Sequence, residues 1–266
     1  MRPLEDSRKH RKTFRYLVIK EELDRVMAFF MLILLLPLIV VLLFLVRATS
    51  RGPALYRQAR VGRNGTVFQL YKIRSMRIDA ESSGSGPVWS QACDPRVTKL
   101  GRWMRDLHLD ELPQLWNVLR GEMSLVGPRP ERPEFVSILK QKIPDYEKRL
   151  AVLPGITGLA QMNLPPDSDL NSVRKKLHLD LAYIREVSLS LDIRLMVCTF
   201  VCLIGWQKEA VVRRMMLDRS DEILRFQLSG SADEVRRERT AVPIGELIPE
   251  SELPIFDLPL QKAGTR

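Results

Sequence analysis

The hydropathy pattern is dominated by an uncharged run over residues 26–46, VMAFFMLILLLPLIVVLLFLV, closed by Arg25 and Arg47. As a helix these 21 residues reach about 31 Å, enough to cross a bilayer. The run begins late for a signal peptide, and Arg47-Ala48-Thr49-Ser50-Arg51 follows it instead of a small-residue cleavage site. A membrane segment is expected. Pro37 lies near its middle, lacks an N–H and crowds the carbonyl of Ile33, which promotes a kink. The run is therefore either a single span with a tolerated proline or a re-entrant helix that bends at Pro37 and returns to the face it entered.

The rest of the pattern is that of a water-facing domain. Val67-Phe68-Gln69-Leu70-Tyr71 partly alternates and predicts a short strand or hairpin. Leu112, Leu115, Trp116 and Leu119 follow helical spacing, with Gly121 where a C′ glycine ends a helix. Residues 133–150 read as an amphipathic helix interrupted at Pro144, most of its charges on a solvated face. The apolar stretch 195–206 is short for a span and predicts a buried or interfacial helix with Trp206 at head-group level. Residues 207–227 suit a surface helix, and from Leu228 an extended tail is expected.

Charge sharpens the membrane reading. Residues 1–77 carry sixteen Lys/Arg against five acids, a net +11, so the remainder nets −1 of the chain's +10. Both flanks of the apolar run are basic, whereas a spanning helix normally leaves its Lys/Arg excess on one side. A re-entrant helix keeps both flanks on the cytoplasmic face, beside anionic head groups. With 45% hydrophobic and 28% charged residues the chain is neither wholly disordered nor a many-span protein. Three cysteines (Cys93, Cys198, Cys202) and three histidines (His10, His108, His178) without ligand spacing argue against a disulfide scaffold and a structural zinc. Cys198 and Cys202 read as small core hydrophobes, and His108 and His178 as isolated helical residues.

Candidate chemistry is densest over residues 94–130. Pro113 fits only a first helical turn, which puts Asp110 and Glu111 at or just before a helix N-terminus. Acidic residues there are common caps, and on spacing alone capping is the favoured reading. The same pair suits phosphoryl chemistry: one carboxylate can attack phosphorus and its neighbour can hold Mg²⁺. Lys99, Arg102 and Arg105 stand just upstream, and Lys72 and Arg74 belong to a basic stretch, residues 47–77, that suits a phosphorylated substrate or a membrane foot.

These residues carry a resemblance. The run from Asp94-Pro95-Arg96-Val97-Thr98-Lys99-Leu100-Gly101 through Leu109-Asp110-Glu111-Leu112-Pro113-Gln114-Leu115-Trp116-Asn117, then Gly121-Glu122-Met123-Ser124-Leu125-Val126-Gly127-Pro128-Arg129-Pro130, resembles the bacterial sugar transferase family. These are monotopic polyprenyl-phosphate phosphoglycosyl transferases that start exopolysaccharide and O-antigen synthesis. Tyr71-Lys72-Ile73-Arg74-Ser75-Met76, Pro154-Gly155-Ile156-Thr157-Gly158 and a looser block with Asp180, Tyr183 and Asp192 also match.

The resemblance implies that Asp110 attacks the sugar-bearing phosphate of a UDP-sugar and releases UMP. Polyprenyl phosphate then takes the phosphosugar from the aspartyl intermediate. Glu111 would associate with Mg²⁺, and Lys72, Arg74, Arg105 and Arg129 would lie near the phosphates. The family's membrane element is re-entrant; its members often carry Ser before the proline, where this chain has Leu36.

The expected fold class is an α-rich α+β protein with a re-entrant membrane helix, a membrane-associated cytoplasmic catalytic domain, a short β-hairpin and interfacial amphipathic helices. Its expected divisions are a basic segment (1–25), the membrane helix (26–46), the catalytic domain (47–206) and a C-terminal helix and tail (207–266). The expected setting is the cytoplasmic face of a bacterial inner membrane, in contact with its lipids, with a homodimer left open. Nucleic acid is excluded as a partner, because basic residues interleaved with aromatics on a recognisable module are missing. A rival reading, a non-catalytic basic scaffold binding lipid or a partner, has no need of Asp110-Glu111.

Overall fold

The computed structural model describes residues 2–81 and 94–234, and the side chains among them from 15 to 228, positions 79 and 81 apart. Cys93, the His10 side chain and the tail beyond Glu234 lie outside the described residues. Helix α1 (Arg2–Thr49) runs through both the basic segment and the apolar run, with Pro37 inside it. No glycine precedes Gly52, and the basic segment is rich in good helix formers, so little there interrupts the helix.

One stripe of α1 faces the protein. Lys20, Asp24, Ala28, Ile39, Leu42 and Val46 are buried, with Leu32 and Leu35 partly so, at spacings of three or four residues along one helical face. Phe30, Leu34 and Phe44 on the other side are exposed. α1 is long and apolar enough to cross a membrane.

Strand β1 (Leu55–Val61) pairs antiparallel with β2 (Val67–Ile73), Leu55 opposite Ile73 and Val61 opposite Val67. This is the expected hairpin. Its turn uses Asn64 (φ 56°) and Gly65 (φ 80°), closed by Gly62 N–H donating to the Thr66 carbonyl at 2.7 Å. On β2, Phe68 and Leu70 are buried on the inner face. Period-2 alternation puts Lys72 on that same face, and Ile73 on the other, packed with Leu42, Val46 and Met104.

Helix α2 (Lys99–Asp106) is capped by Thr98, whose hydroxyl accepts from Gly101 N–H at 2.9 Å. A Cβ on Gly101 would fall 1.9 Å from the Ser75 carbonyl oxygen, so α2 can sit against the end of β2 only with glycine there. A 3₁₀ turn (Leu109–Glu111) then leads into α3 (Gln114–Leu119), which Gly121 ends at φ 74° as expected.

A parallel pair not foreseen in the sequence follows, β3 (Ser124–Val126) against β4 (Gly155–Thr157). Between them come α4 (Pro133–Lys142) and a 3₁₀ segment (Tyr146–Ala151), split near Pro144 as expected. Arg149 departs from the predicted solvated face, being 3% exposed.

Helices α5 (Leu159–Asn163), α6 (Leu170–Glu186), α7 (Leu189–Leu203), α8 (Lys208–Arg214) and α9 (Ser220–Glu234) complete the described chain. α7 buries Leu191, Leu195 and Cys198 and exposes Ile193, Val197 and Phe200. Helix α9 carries on past Leu228, where an extended tail was expected, because Leu228 to Glu234 holds no proline. His178 is not isolated: it stacks on Phe226 at 4.5 Å and pairs with Glu222 at 3.0 Å, tying α9 to α6.

Helix α1 is latched to this body by buried charge. Lys20 lies 3.1 Å from Asp24 and 3.0 Å from Asp192, and Asp192 also accepts from Tyr16 (2.6 Å) and Tyr183 (2.8 Å). Asp24 in turn accepts from the Ser124 hydroxyl and from Leu125 N–H at 3.4 Å. At its far end, Arg74 donates to the Arg51 carbonyl (2.6 Å), the Ser50 carbonyl (3.1 Å) and the Ser50 hydroxyl (2.7 Å).

Candidate active site

Asp110 and Glu111 sit in the 3₁₀ turn between α2 and α3. His108, in the left-handed region at φ 51°, turns the chain there, so it is a turn residue rather than the helical one expected. Both carboxylates are buried, Asp110 at 5% exposure and Glu111 at 9%. Neither caps α3, since Pro113 occupies the cap without a side-chain bond. The capping alternative is thereby removed, and the carboxylates point elsewhere.

Glu111 is gripped from two sides. Lys72 Nζ lies 2.8 Å from Oε1, and the Arg129 guanidinium spans both oxygens, 3.2 Å from Oε2. Burial alone would raise its pKa, but Arg129 and Lys72 hold it well below the usual carboxylate range. Burial lowers the Lys72 pKa and outweighs the pull of Glu111.

Asp110 differs. Among the described residues no hydrogen bond or ion pair engages its carboxylate. Burial raises its pKa, and Glu111 adds to the rise, while the charges of Lys72 and Arg105 draw it back. An unclamped, buried and more basic carboxylate flanked by cations is suited to attack an electrophile that carries negative charge.

The cations come from separate elements. Lys72 extends the inner row of β2, whose place is fixed by Asn117: its Oδ1 accepts from Tyr71 N–H at 3.1 Å and its Nδ2 donates to the Gln69 carbonyl at 2.7 Å. Arg105 is the last-turn base of α2, and its Nε donates to the Ser75 hydroxyl at 2.8 Å. Arg129 stands on the Gly127-Pro128-Arg129-Pro130 loop, which lies against the Gly155-containing loop. Gly127 N–H donates to the Thr157 carbonyl and Gly155 N–H to the Pro128 carbonyl, each at 2.9 Å. A Cβ on Gly155 would fall 2.1 Å from Gly127 N, and one on Gly158 would fall 2.3 Å from Gly127 O, so the loops meet backbone to backbone.

The structure therefore brings Asp110, Glu111, Lys72, Arg105 and Arg129 into one electrostatic cluster. Arg74 stands on the other work described above, bracing the end of α1. The exposed Lys99 and Arg102 lie on the outer face of α2.

Sequence reasoning did not find Asn117, Ser75, Arg149 or the Lys20–Asp24 latch. Asn117, a polar residue between Leu115 and Val118 at 0% exposure, was the readable signal. Lys20 and Asp24 share the helical face that later carries Ala28.

Metal chemistry was expected at Glu111. Among the described residues no group of three or more acidic, His or Cys side chains gathers. Mg²⁺ is commonly held by one or two carboxylates together with substrate phosphates, and Asp110 and Glu111 are carboxylates of that kind, Glu111 through oxygens that Lys72 and Arg129 engage here.

Comparison with known sequences meets this site. The profile of the bacterial sugar transferase family matches residues 15–205, which include every site residue named above. A Bacillus subtilis (strain 168) protein, named provisionally as an undecaprenyl-phosphate N-acetylgalactosaminyl 1-phosphate transferase, is 51% identical over 139 residues, 52% of this chain and 76% of that one. The undecaprenyl-phosphate glucose phosphotransferase of Komagataeibacter xylinus is 42% identical over 188 residues, 68% of this chain but only 35% of its own. The UDP-glucose:undecaprenyl-phosphate glucose-1-phosphate transferase of Caulobacter vibrioides (strain ATCC 19089 / CIP 103742 / CB 15) is 38% identical over 182 residues, 68% of this chain and 67% of that one. With the profile running from Arg15 on the latch helix to Gly205 beyond α7, the chain belongs to the bacterial sugar transferase family.

Proposed function

We propose that this protein is a polyprenyl-phosphate phosphoglycosyl transferase that moves a sugar 1-phosphate from a UDP-sugar to undecaprenyl phosphate at the cytoplasmic face of a bacterial inner membrane. The observation that carries this reading is the contrast within the dyad: Glu111 is held by two cations, while Asp110 is buried beside them without a partner among the described residues. The names of the relatives support the donor and acceptor classes.

In the first step an Asp110 oxygen attacks the sugar-bearing phosphorus of the donor. The bond from that phosphorus to the bridging oxygen breaks, UMP leaves with the electron pair, and an aspartyl phosphosugar remains. In the second, an oxygen of undecaprenyl phosphate attacks the same phosphorus and the bond to Asp110 breaks. The product is undecaprenyl diphosphate-sugar with the carboxylate restored. Lys72, Arg105 and Arg129 neutralise the phosphate oxygens, and their partial burial strengthens that attraction over its value in water. Mg²⁺, held by Glu111 and the donor diphosphate, would add charge neutralisation to this cluster.

The membrane arrangement follows the same reading. α1 is re-entrant, with both ends on the cytoplasmic side. Lys20 and Asp24, just before the apolar run, bond to Asp192 and Ser124, and Leu42 and Val46 at its end pack on Ile73 and Met104 of the same body. Residues on both sides of the apolar run thus contact one body, from which a helix spanning a bilayer would carry one side about 30 Å away. The exposed Ile193, Val197, Phe200 and Trp206 of the α7 region lie at the lipid surface.

The test uses the full chain in nanodiscs with undecaprenyl phosphate, Mg²⁺ and, in turn, UDP-glucose and UDP-N-acetylgalactosamine, following UMP release. Asp110→Asn abolishes release while the variant stays folded; unchanged turnover would remove Asp110 as nucleophile. A reporter fused before Glu22 is expected to be cytoplasmic, and a periplasmic signal would overturn the re-entrant arrangement.

A further inference from the structure

The loop that presents Arg129 has an unusual set of supports. Two of its residues, Pro128 and Pro130, have no N–H to offer, so the loop is held through its carbonyls. Four consecutive carbonyls each accept from another part of the chain: Pro128 from Gly155 N–H at 2.9 Å, Arg129 from Arg149 at 2.8 Å, Pro130 from Arg60 at 3.0 Å and Glu131 from Val61 N–H at 2.9 Å. At the residue that matters for chemistry, the support is the buried guanidinium of Arg149.

Arg149 comes from a segment whose neighbours Glu147 and Lys148 are exposed, yet it is turned inward. Its charge is matched by Asp180 of α6 in a two-pronged pair, Nε at 2.9 Å and the second nitrogen at 2.8 Å from Oδ2. Arg149 Nη1 donates to the Tyr146 hydroxyl at 3.1 Å. One turn earlier on the same face of α6, Lys176 pairs with Glu131, at the next position after Pro130. α6 thus fixes the loop twice, and its own start is fixed by an Asp169–Ser172 capping box. A buried ion pair is weak as a source of stability, since a well-packed apolar pair can replace it. What an apolar pair cannot do is donate to the Arg129 carbonyl.

We infer that Arg149, oriented by Asp180, is a positioning residue that sets the reach of the Arg129 guanidinium toward Glu111 and the donor phosphates. The inference rests on the reading of Arg129 as a phosphate-facing cation. Releasing its carbonyl lets the loop drift, and a displacement of about 1 Å at a positioning group costs on the order of 100-fold in rate.

The test is a double-mutant cycle on UMP release by the full chain in nanodiscs, with undecaprenyl phosphate and whichever of UDP-glucose and UDP-N-acetylgalactosamine turns over. Arg149→Met and Arg129→Met each lower kcat/KM by about 100-fold, and the double variant is no slower than Arg129→Met alone. Arg149→Lys, which keeps a charge beside Asp180 but cannot grip it and the carbonyl together, gives the same non-additivity with a melting temperature near the parent's. Tyr146→Phe, which removes the hydroxyl that accepts from Arg149 and keeps the ring beneath its guanidinium, stays within about twofold. Losses that multiply in the double variant, or a folded Arg149→Lys at full rate, would overturn the inference. Full activity in Arg129→Met would instead remove the underlying reading of Arg129.

Discussion

Replacing Lys72 by methionine isolates the electrostatics of the dyad, because methionine keeps most of the aliphatic stem and removes the charge. At 2.8 Å and an effective dielectric constant of about 20, the gross attraction between Lys72 and Glu111 is about 6 kcal/mol. Desolvation of both charges cancels part of this, and severing a buried pair typically costs about 3–5 kcal/mol. Arg129 still grips both Glu111 oxygens in the variant, so a value at or below the lower limit of that range, about 2–3 kcal/mol, is expected. Expressed in the transition state, this is roughly a 30- to 150-fold loss in kcat/KM for UMP release.

The pH profile tells where the loss acts. Burial raises the Asp110 pKa, and Lys72 is the strongest of the charges that draw it back. Without Lys72 that pKa moves further up, so the acid limb of kcat/KM, set by ionisation of the nucleophile, shifts to higher pH. The limb returns toward the parent position in Lys72→Arg. The assay is UMP release between pH 5 and 9 in nanodiscs. A rate loss with an acid limb that stays in place or moves down would refute the view that Lys72 acts on Asp110.

Three further outcomes follow from the packing. Gly155→Ala sets a methyl 2.1 Å from Gly127 N, and overpacking of this kind costs about 1–3 kcal/mol; a parent-like melting temperature would contradict the backbone contact of the two loops. Asp192→Asn leaves Lys20 with Asp24 alone, so hydrogen exchange in residues 15–25 is expected to speed up at least tenfold, and unchanged protection would dismiss the latch. Glu131, which burial would raise, is drawn down to about 2 by Lys176, Arg149 and Arg60. Its depressed pKa contributes up to about 3 kcal/mol above pH 4.5, lost as pH falls toward 2, so the stability gap between parent and Glu131→Gln closes across that window. A gap that is flat from pH 5 to 2 would count against it.

Much of the site was legible as spacing and residue type. The 26–46 run, the alternation around Val67, the start at Pro113 and the stop at Gly121 are local signals, because each depends on a backbone preference or a period that neighbours alone set. Asp110 and Glu111 were legible as a pair, but capping and catalysis share the same local pattern. Only the structure removed capping, by placing Pro113 at the cap, and brought Lys72 from β2 and Arg129 from a distant loop to Glu111. His108 was misplaced because a left-handed residue depends on the turn that α2 and α3 force on it. Arg149 was misplaced because a helical charge looks solvated until a partner such as Asp180 arrives from another helix.

The sequence alone therefore determined the hairpin, the stop of α3, the long apolar run and the concentration of positive charge in the first third of the chain. These depend on composition and on contacts between near neighbours. Tertiary structure decided which charges brace the fold and which gather at the dyad: Arg74 on the end of α1, Lys20 on the latch, Lys72 and Arg129 on Glu111, with Asp110 left unpaired among the described residues. Coulomb energy and desolvation depend on distance and burial, and neither is written in the spacing of residues along a chain.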